Sequence, residues 1–209
     1  MTILSQILKY KIVAIIRGAK PDDVLELAKA LSEGGVKLLE VTLNSPDALS
    51  SISQLSTHMN TQLLVGAGTV LDADMAMAAM NAGAQFIISP SLDIETIRAT
   101  KQGGAISIPG AFSATEILAA HKNGGDIIKV FPASIGPGYL KDLRGPFPHI
   151  PLMPTGGVNL GNIREFQQAG AVAFGVGSAL IDVPQKITDE YLKRLTEKAK
   201  QYVEAITTS

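Results

Sequence analysis

The segment 34–42, GGVKLLEVT, begins with two glycines and continues as a short run of apolar and β-branched residues. Helices commonly end at a glycine in the left-handed conformation, and a short run of this kind is typical of a buried β-strand. Four segments repeat the pattern: 82–90, AGAQFIISP; 103–110, GGAISIPG; 124–132, GGDIIKVFP; and 169–177, AGAVAFGVG. We expect left-handed backbone at the second residue of each copy, which is Gly35, Gly83, Gly104, Gly125 or Gly170.

The spacing of these copies predicts eight strands. The second glycines are separated by 48, 21, 21 and 45 residues, and each long gap contains one further apolar run, QLLVGAG at 62–68 or IPLMPTG at 150–156. The run KIVAIIRG at 11–18 precedes the first copy. Eight strands alternating with helices at a repeat of about 20–25 residues predict an α/β fold, a single-domain (β/α)8 TIM barrel over residues 1–209. The first residues are expected to form an N-terminal capping helix.

Helix start signals support the alternation. The segment from Pro21 places proline and two aspartates in a first turn, and Ser113 and Glu116 have the spacing of a capping box. The alternative is an open doubly wound sheet, because GAGTVL at 66–71 and GVGSAL at 175–180 each match half of a dinucleotide-binding fingerprint. Both lack the third glycine of that fingerprint.

Composition excludes several classes of function. The chain of 209 residues has no cysteine, which is compatible with a reducing cytoplasm, and its formal charge is -1 without a run of basic residues. We therefore expect a cytoplasmic protein that binds no nucleic acid. No stretch is apolar enough for a membrane span and no signal peptide is evident, so we expect no membrane association. The three histidines lack metal-ligand spacing, and we expect neither a metal nor a cofactor.

Three charged residues lie in or at the end of runs that should be apolar. Arg17 ends the first run, Glu40 interrupts the second, and Lys129 interrupts the sixth. Catalytic residues of TIM barrels lie at the C-terminal ends of the strands, so these three are candidates. Side chains alternate along a strand, which puts Glu40 on the face of Leu38 and Lys129 on the face of Ile127. Either face of each strand could point into the barrel.

A buried lysine can lose its proton and become a nucleophile. Its pKa would have to fall from ~10.4 towards ~7.5, and burial in a barrel near Arg17 could supply that shift. The alternative is that Lys129 covers a strand end or forms a structural ion pair with Glu40. Glu40 is equally open to two interpretations, a general acid/base or an ion-pair partner of Lys129 or Arg17.

The last two strands end in the glycine-rich segments PTGGV at 154–158 and GVGSAL at 175–180. Glycine allows backbone N–H groups to approach an anion, and TIM barrels often bind phosphate at these strand ends. The alternative is a pair of ordinary turns with Ser178 as a helix N-cap. Thr69 and Pro90 end two further strands, where a turn role is the default.

The ordered motifs VAIIRG, LLEVTLNSP, VGAGTV, FIISP, IKVFPAS, PTGGV and GVGSAL resemble those of the 2-keto-3-deoxy-6-phosphogluconate (KDPG) aldolases, a family that includes 2-keto-4-hydroxyglutarate (KHG) aldolases. The resemblance spans nearly the whole chain. It implies a class I aldolase of the Entner–Doudoroff pathway that forms a Schiff base on Lys129 and uses Glu40 as general acid/base. Such an enzyme cleaves its 2-keto acid phosphate to pyruvate and D-glyceraldehyde 3-phosphate. Family members are typically homotrimers, so a homotrimer is expected here.

The resemblance also implies a substrate-binding set. Thr69 would help to hold the carboxylate of pyruvate, and Arg17 would belong to the anion-binding residues. The other members are expected to shape the pocket or to bind the phosphate: Pro90, Phe131, Gly156, Gly157 and Ser178.

Three features bear on which substrate is used. Gluconate-type enzymes carry an arginine that contacts the substrate carboxylate just after LEVTL, where this chain has Asn44. The stretches LNSP and SIGPGYLKDL resemble the 6-phosphogalactonate aldolases, whereas Thr155 matches the gluconate type. We expect KDPG as substrate, with the galactonate epimer or KHG as alternatives. More distant alternatives are a phosphate-binding isomerase or epimerase and a non-catalytic sugar-phosphate binding module.

Overall fold

Short parallel strands alternate with α-helices in the computed structural model, which describes residues 1–183 and 186–207. The strands are β1 Ile12–Ile16, β2 Leu38–Thr42, β3 Leu64–Gly68, β4 Phe86–Ile88, β5 Ile106–Ile108, β6 Gly110–Ala111, β7 Ile128–Val130, β8 Leu152–Pro154 and β9 Phe174–Val176. The helices are α1 Ile3–Tyr10, α2 Pro21–Glu33, α3 Ala48–His58, α4 Ala73–Asn81, α5 Ile94–Gln102, α6 Ala114–Lys122, α7 Pro137–Arg144, α8 Ile163–Gln168 and α9 Asp189–Thr207. A 3₁₀ turn, Ala133–Ile135, follows β7. Each of the eight predicted runs therefore contains a strand.

The strands pair in parallel and in sequential order. One sheet has the order β5-β4-β3-β2-β1-β9, and a second has the order β6-β7-β8. The last strand thus lies beside the first, in the register Ile12 to Phe174. A doubly wound sheet instead reverses its order at a switch point, so the alternative of an open dinucleotide-binding sheet is wrong.

Two prolines explain where the ladders between the sheets are interrupted. The predicted fifth strand is divided into β5 and β6 at Pro109, which has no N–H to donate. Its carbonyl still accepts the Lys129 N–H at 2.9 Å. Pro154 ends β8, and the contact to β9 consists of one bridge, Thr155 to Gly175, and the bond from Val172 N–H to the Leu152 carbonyl at 3.0 Å.

The apolar core has two layers, and these decide which face of each strand points inward. The inner cluster collects alternate residues from both sheets: Val13, Leu38, Leu64, Phe86, Ile88, Ile108, Ile127, Met153 and Ala173. The intervening residues, such as Leu39 and Ile128, pack outward in the helical layer. Glu40 and Lys129 follow Leu38 and Ile127 by two positions, so both belong to the inner face.

Helix α1 closes against the same inner cluster. Ile7 is a fully buried member of it, and Ile3, Leu4 and Tyr10 pack against it. A helix at the N-terminus was predicted, and its apolar side packs against this inner cluster. No helix in the described part of the chain has both the length and the apolar character needed to cross a bilayer.

The helix ends follow the glycine prediction with one exception. Backbone φ is positive at Gly35, Gly83, Gly104 and Gly170. The prediction for Gly125 is wrong, because Gly124 has the positive φ, 101°, instead. Helix α6 is capped by Asn123, so its left-handed position falls on the first glycine of the pair rather than the second. Both predicted helix starts are confirmed, at Pro21 and in the capping box of Ser113 and Glu116.

Candidate active site

A cavity of about 580 Å³ lies at the C-terminal ends of the strands. Residues that follow or end six different strands contribute to its wall, because parallel strands bring their C-terminal ends to one side of the fold. The wall contains every residue singled out in the sequence as a candidate for catalysis or substrate binding: Arg17, Glu40, Thr69, Pro90, Lys129, Phe131, Thr155, Gly156, Gly157 and Ser178.

Lys129 is the central residue of β7 and is only 6% exposed. Its Nζ lies 4.9 Å from the centroid of the Phe131 ring, and it forms no salt bridge with any described residue. Burial lowers the pKa of the Lys129 amine, the Glu40 carboxylate opposes that shift, and the positive charge of Arg17 adds to it. The amine is therefore uncharged at a lower pH than an ordinary lysine.

Glu40 faces the same cavity from β2 and is 1% exposed. Its Oε2 is buried and accepts no hydrogen bond within the described chain. Burial raises the pKa of the Glu40 carboxyl, while the charges of Lys129 and Arg17 lower it to a smaller extent. Gly68 on β3 makes room for this side chain, since a Cβ at Gly68 would overlap the carboxylate. The carboxyl group thus keeps one oxygen free for a ligand or water.

Lys129 and Glu40 are neighbours in one buried space, but they form no direct ion pair. Among the described residues, neither takes part in a nitrogen–oxygen contact within the 4.0 Å limit of a salt bridge. The hypothesis that Lys129 serves as a structural ion-pair partner of Glu40 is therefore wrong for this structure. Both groups therefore line the cavity without being paired with each other.

Arg17 follows β1 and is exposed at the cavity entrance, where Asn44 holds it. Its Nη1 donates to Asn44 Oδ1 at 3.1 Å. The next residue, Gly18, donates its N–H to Ser45 Oγ at 2.8 Å, and Ser45 is in turn bonded to the buried hydroxyl of Thr42 at 3.0 Å. Ser45 was not predicted from the sequence. The loop after β2 thereby fixes the position of the loop that carries the arginine.

Two threonines in the wall have unusual local environments. Thr69 has a φ of 56°, a left-handed conformation that a β-branched residue adopts only at a cost in free energy. Thr155 is 4% exposed, and its Oγ1 has no hydrogen-bond partner among the described residues. Thr69 and Pro90, for which the sequence suggested a turn role, both line the cavity. Thr155 presents to the same cavity a buried hydroxyl without a partner among the described residues.

The two glycine-rich segments meet at one side of the cavity. Gly156 and Gly157 have φ of 80° and 92°. A Cβ at Gly156 would lie 3.1 Å from the Phe131 ring, so the first segment packs close to the strand that carries Lys129. The second segment is a single turn in which Leu180 and Ile181 donate their N–H groups to the Gly177 carbonyl, at 2.8 and 2.9 Å.

Six backbone N–H groups of these segments are free within the described chain. The residues whose N–H groups donate to no acceptor in residues 1–183 and 186–207 are Gly156, Gly157, Val158, Gly177, Ser178 and Ala179. All six residues line the cavity. Free backbone donors at glycine-rich strand ends are the groups with which proteins of this architecture bind phosphate.

No group of three or more His, Cys, Asp or Glu side chains in the described chain is arranged to hold a metal ion. The rings of His121 and His149 lie 5.5 Å apart between their centroids. They come from α6 and from the loop before β8, at the ends of the strands away from the cavity.

Comparisons with known proteins show the family of the chain. The family model "KDPG and KHG aldolase" matches residues 3–197. A 2-dehydro-3-deoxy-phosphogluconate aldolase of Pseudomonas aeruginosa is 39% identical over 158 residues, which cover 75% of this chain and 71% of the relative. A 2-dehydro-3-deoxy-6-phosphogalactonate aldolase of Escherichia coli K12 is 33% identical over 199 residues, 94% of this chain and 95% of the relative.

A solved structure of KDPG aldolase from Legionella pneumophila, with pyruvate captured at low pH as a covalent carbinolamine intermediate, superposes with a TM-score of 0.82. It is 29% identical and covers 100% of this chain and 99% of its own. The fold, the site and these relatives define an aldolase, a carbon–carbon lyase. The chain belongs to the KDPG and KHG aldolase family. This membership favours an aldolase over the more distant alternatives of an isomerase or a non-catalytic binding module.

Because both buried charges carry a desolvation cost, we expect the double variant Lys129→Met/Glu40→Gln to be more stable at pH 7 by about 1–4 kcal/mol. The pKa of Lys129 is lowered on folding, so below pH 10.5 the unfolded chain binds that proton more tightly and the charge opposes folding. The pKa of Glu40 is raised, so above pH 4.5 its ionisation also opposes folding. Urea unfolding at pH 7 measures the difference.

The matched control for this variant removes a genuine ion pair. Lys101 Nζ lies 2.7 Å from Asp126 Oδ1, and Asp126 Oδ2 also accepts the Ser107 N–H at 2.8 Å. The variant Lys101→Met/Asp126→Asn should lose about 1 kcal/mol of stability. A loss of stability in Lys129→Met/Glu40→Gln equal to that of the control would contradict the account of the site.

Proposed function

We propose that this protein is a class I aldolase that cleaves KDPG to pyruvate and D-glyceraldehyde 3-phosphate through a Schiff base on Lys129. The observation that carries the proposal is the buried amine of Lys129, which has a lowered pKa, forms no ion pair with any described residue and shares a cavity with Glu40. A lone amine of this kind is a nucleophile near neutral pH. Glu40 is the general acid/base of the reaction.

The first stage forms the imine. The uncharged Nζ of Lys129 attacks C2 of the 2-keto acid, and the ketone oxygen takes up a proton to give a carbinolamine. Loss of water from the carbinolamine leaves a protonated imine, whose nitrogen can accept an electron pair. The carbinolamine captured in the Legionella relative is the corresponding intermediate in that protein and supports this stage by analogy.

The second stage breaks the carbon–carbon bond. Glu40 removes the C4 hydroxyl proton, the C3–C4 bond breaks, and its electron pair moves to the imine nitrogen, so that the aldehyde departs and an enamine remains. Glu40 then returns a proton to C3, and water hydrolyses the imine to release pyruvate. The raised pKa of Glu40 suits both directions of this transfer, since it makes the carboxylate a stronger base and the carboxylic acid easier to form near neutral pH.

The two ends of the substrate are bound at opposite sides of Lys129. Arg17 supplies a positive charge and Thr69 a hydroxyl for the carboxylate, and Asn44 holds Arg17 where gluconate-type enzymes carry their own arginine. Gly156, Gly157 and Ser178 belong to the glycine-rich segments that bind the phosphate through backbone N–H groups. Pro90 and Phe131 form the apolar wall between them.

Incubation with pyruvate and sodium borohydride tests the imine directly. We expect the mass of the chain to increase by one reduced pyruvate, with the modification on Lys129, because borohydride reduces the imine to a stable secondary amine. The variant Lys129→Arg should show no increase. Lys37→Arg is the matched control, since Lys37 precedes β2 on the outer face and contacts Ser32. An unmodified wild-type chain, or modification of a lysine other than Lys129, would contradict the proposal.

The galactonate epimer is the second candidate substrate. The E. coli relative named for that substrate matches 94% of this chain, and Asn44 replaces the arginine of the gluconate type. Thr155 favours KDPG, because its buried hydroxyl has no partner in the described chain and a substrate hydroxyl can supply one. KDPG and its galactonate epimer differ in configuration at C4. The hydroxyl of Thr155 can therefore distinguish the two substrates.

We expect Thr155→Val to lower the ratio of kcat/KM for KDPG over its galactonate epimer by about tenfold, because one hydrogen bond to the substrate is lost. The melting temperature should stay equal or rise, since the wild-type hydroxyl is unpaired. Thr57→Val on the exposed side of α3 is the control and should leave the ratio unchanged. An unchanged ratio in Thr155→Val would show that this residue does not select the epimer.

The proposal also covers the closure of the two sheets into one barrel and the oligomeric state of the enzyme. We infer that the two sheets are one closed (β/α)8 barrel forming a single domain over residues 1–209, capped by α1. The pairing of β9 with β1 and the bridge between Thr155 and Gly175 support closure. By resemblance to its family, the enzyme is a homotrimer, and the absence of cysteine fits a cytoplasmic location.

A further inference from the structure

Asn162 occupies the N-cap position of α8 but does not cap the helix. An asparagine at this position usually accepts a hydrogen bond from an N–H of the first helical turn. Here the Asn162 side chain makes no such bond. Its Oδ1 instead accepts the Asn159 N–H at 2.8 Å, and its Nδ2 donates to the Gly157 carbonyl at 2.8 Å. The side chain is committed to the glycine-rich segment that precedes the helix.

Asn159 contributes to the same network. Its Nδ2 donates to the Gly157 carbonyl at 3.2 Å, and its Oδ1 accepts the Gly161 N–H at 2.8 Å. The Gly157 carbonyl therefore receives two amide donors. Oδ1 and Nδ2 of both asparagines are engaged, and every one of these bonds is made to a backbone group between Gly157 and Gly161.

Fixing this carbonyl also fixes a donor of the cavity. In a trans peptide the carbonyl oxygen and the following N–H point in opposite directions. The bonds to the Gly157 carbonyl thus determine the direction of the Val158 N–H, which is one of the six free donors. On its other side the segment packs against the 3₁₀ turn after β7, since a Cβ at Gly157 would lie 2.9 Å from Ser134 Cα.

We propose that Asn162, together with Asn159, is a positioning residue that preorganises the glycine-rich segment for the phosphate of the substrate. The inference rests on the proposed function, because it assumes that this segment binds phosphate. Donors that are held in place before binding lose little conformational freedom when the phosphate binds. Removing the Asn162 side chain should therefore weaken phosphate binding and leave the covalent step at Lys129 unchanged.

The variant Asn162→Ser separates positioning from folding. Serine is a favoured N-cap residue, so helix α8 should be at least as stable, but the shorter side chain cannot reach both Asn159 and Gly157. We expect KM for the phosphorylated substrate to rise about tenfold with little change in kcat. The inhibition constant of inorganic phosphate should rise by a similar factor, whereas the rate of borohydride trapping with pyruvate should stay within about twofold of the wild-type rate.

Asn123→Ala is the matched control, and Asn162→Ala is the second variant if Asn162→Ser does not fold. Asn123 Nδ2 also donates to a backbone carbonyl, that of Ala119 at 2.9 Å, but at the end of α6 and away from the cavity. The variant Asn123→Ala should change neither the KM for the phosphorylated substrate nor the rate of borohydride trapping.

Each outcome of the test is decisive. A rise in KM and in the phosphate inhibition constant with unchanged trapping supports the inference. Unchanged phosphate binding overturns it, as does a parallel loss of trapping and melting temperature, which would indicate a structural role. If the wild-type enzyme is trapped by pyruvate but is not inhibited by phosphate, the positioning role is overturned while the imine chemistry stands. If the wild-type enzyme is not trapped, the proposed function itself fails.

Discussion

The site depends on one energetic constraint, the burial of the Lys129 amine without an ion-pair partner in the part of the chain that the structure describes. Removal from water disfavours the charged ammonium, and Arg17 adds to that effect, while Glu40 lies near enough to oppose it but not to form a salt bridge. A direct pair would hold the proton on the amine and make it a poor nucleophile. In the mechanism that we propose, the separation of the two groups is therefore what makes this buried lysine reactive.

The surrounding architecture follows from this constraint. Glycine leaves space for a side chain of the cavity at Gly68, beside Glu40, and the inner apolar cluster lies on the same face of the strands as Lys129. The polar groups that we propose for substrate binding lie at the C-terminal ends of the strands. In the proposed mechanism, reactivity belongs to the buried middle of two strands, and phosphate binding belongs to the backbone donors of the loops.

Much of this could be predicted from the sequence, because the information is local. The glycine-terminated helices and short apolar runs predict the strands, and parallel strands bring their ends together, which is why every candidate residue lies in one cavity. The prediction of left-handed backbone at Gly125 was wrong because α6 ends at the capping residue Asn123, which places the left-handed conformation at Gly124. The inward face, the missing ion pair of Lys129 and the bond from Arg17 to Asn44 depend on packing between distant segments, which alternation alone does not determine. Asn162 offered a local signal, as an asparagine before a helix, but only the structure shows that it does not cap.

The burial of the Lys129 amine is tested most directly by measuring the pKa of that amine. An NMR titration that follows the side-chain carbon next to Nζ in the wild-type enzyme and in Glu40→Gln would give its pKa in both proteins. We expect the pKa of Lys129 to lie below the ordinary value of 10.5 in the wild-type enzyme and lower still in Glu40→Gln, because the Glu40 carboxylate raises it. A wild-type midpoint at or above 10.5 would contradict the central claim.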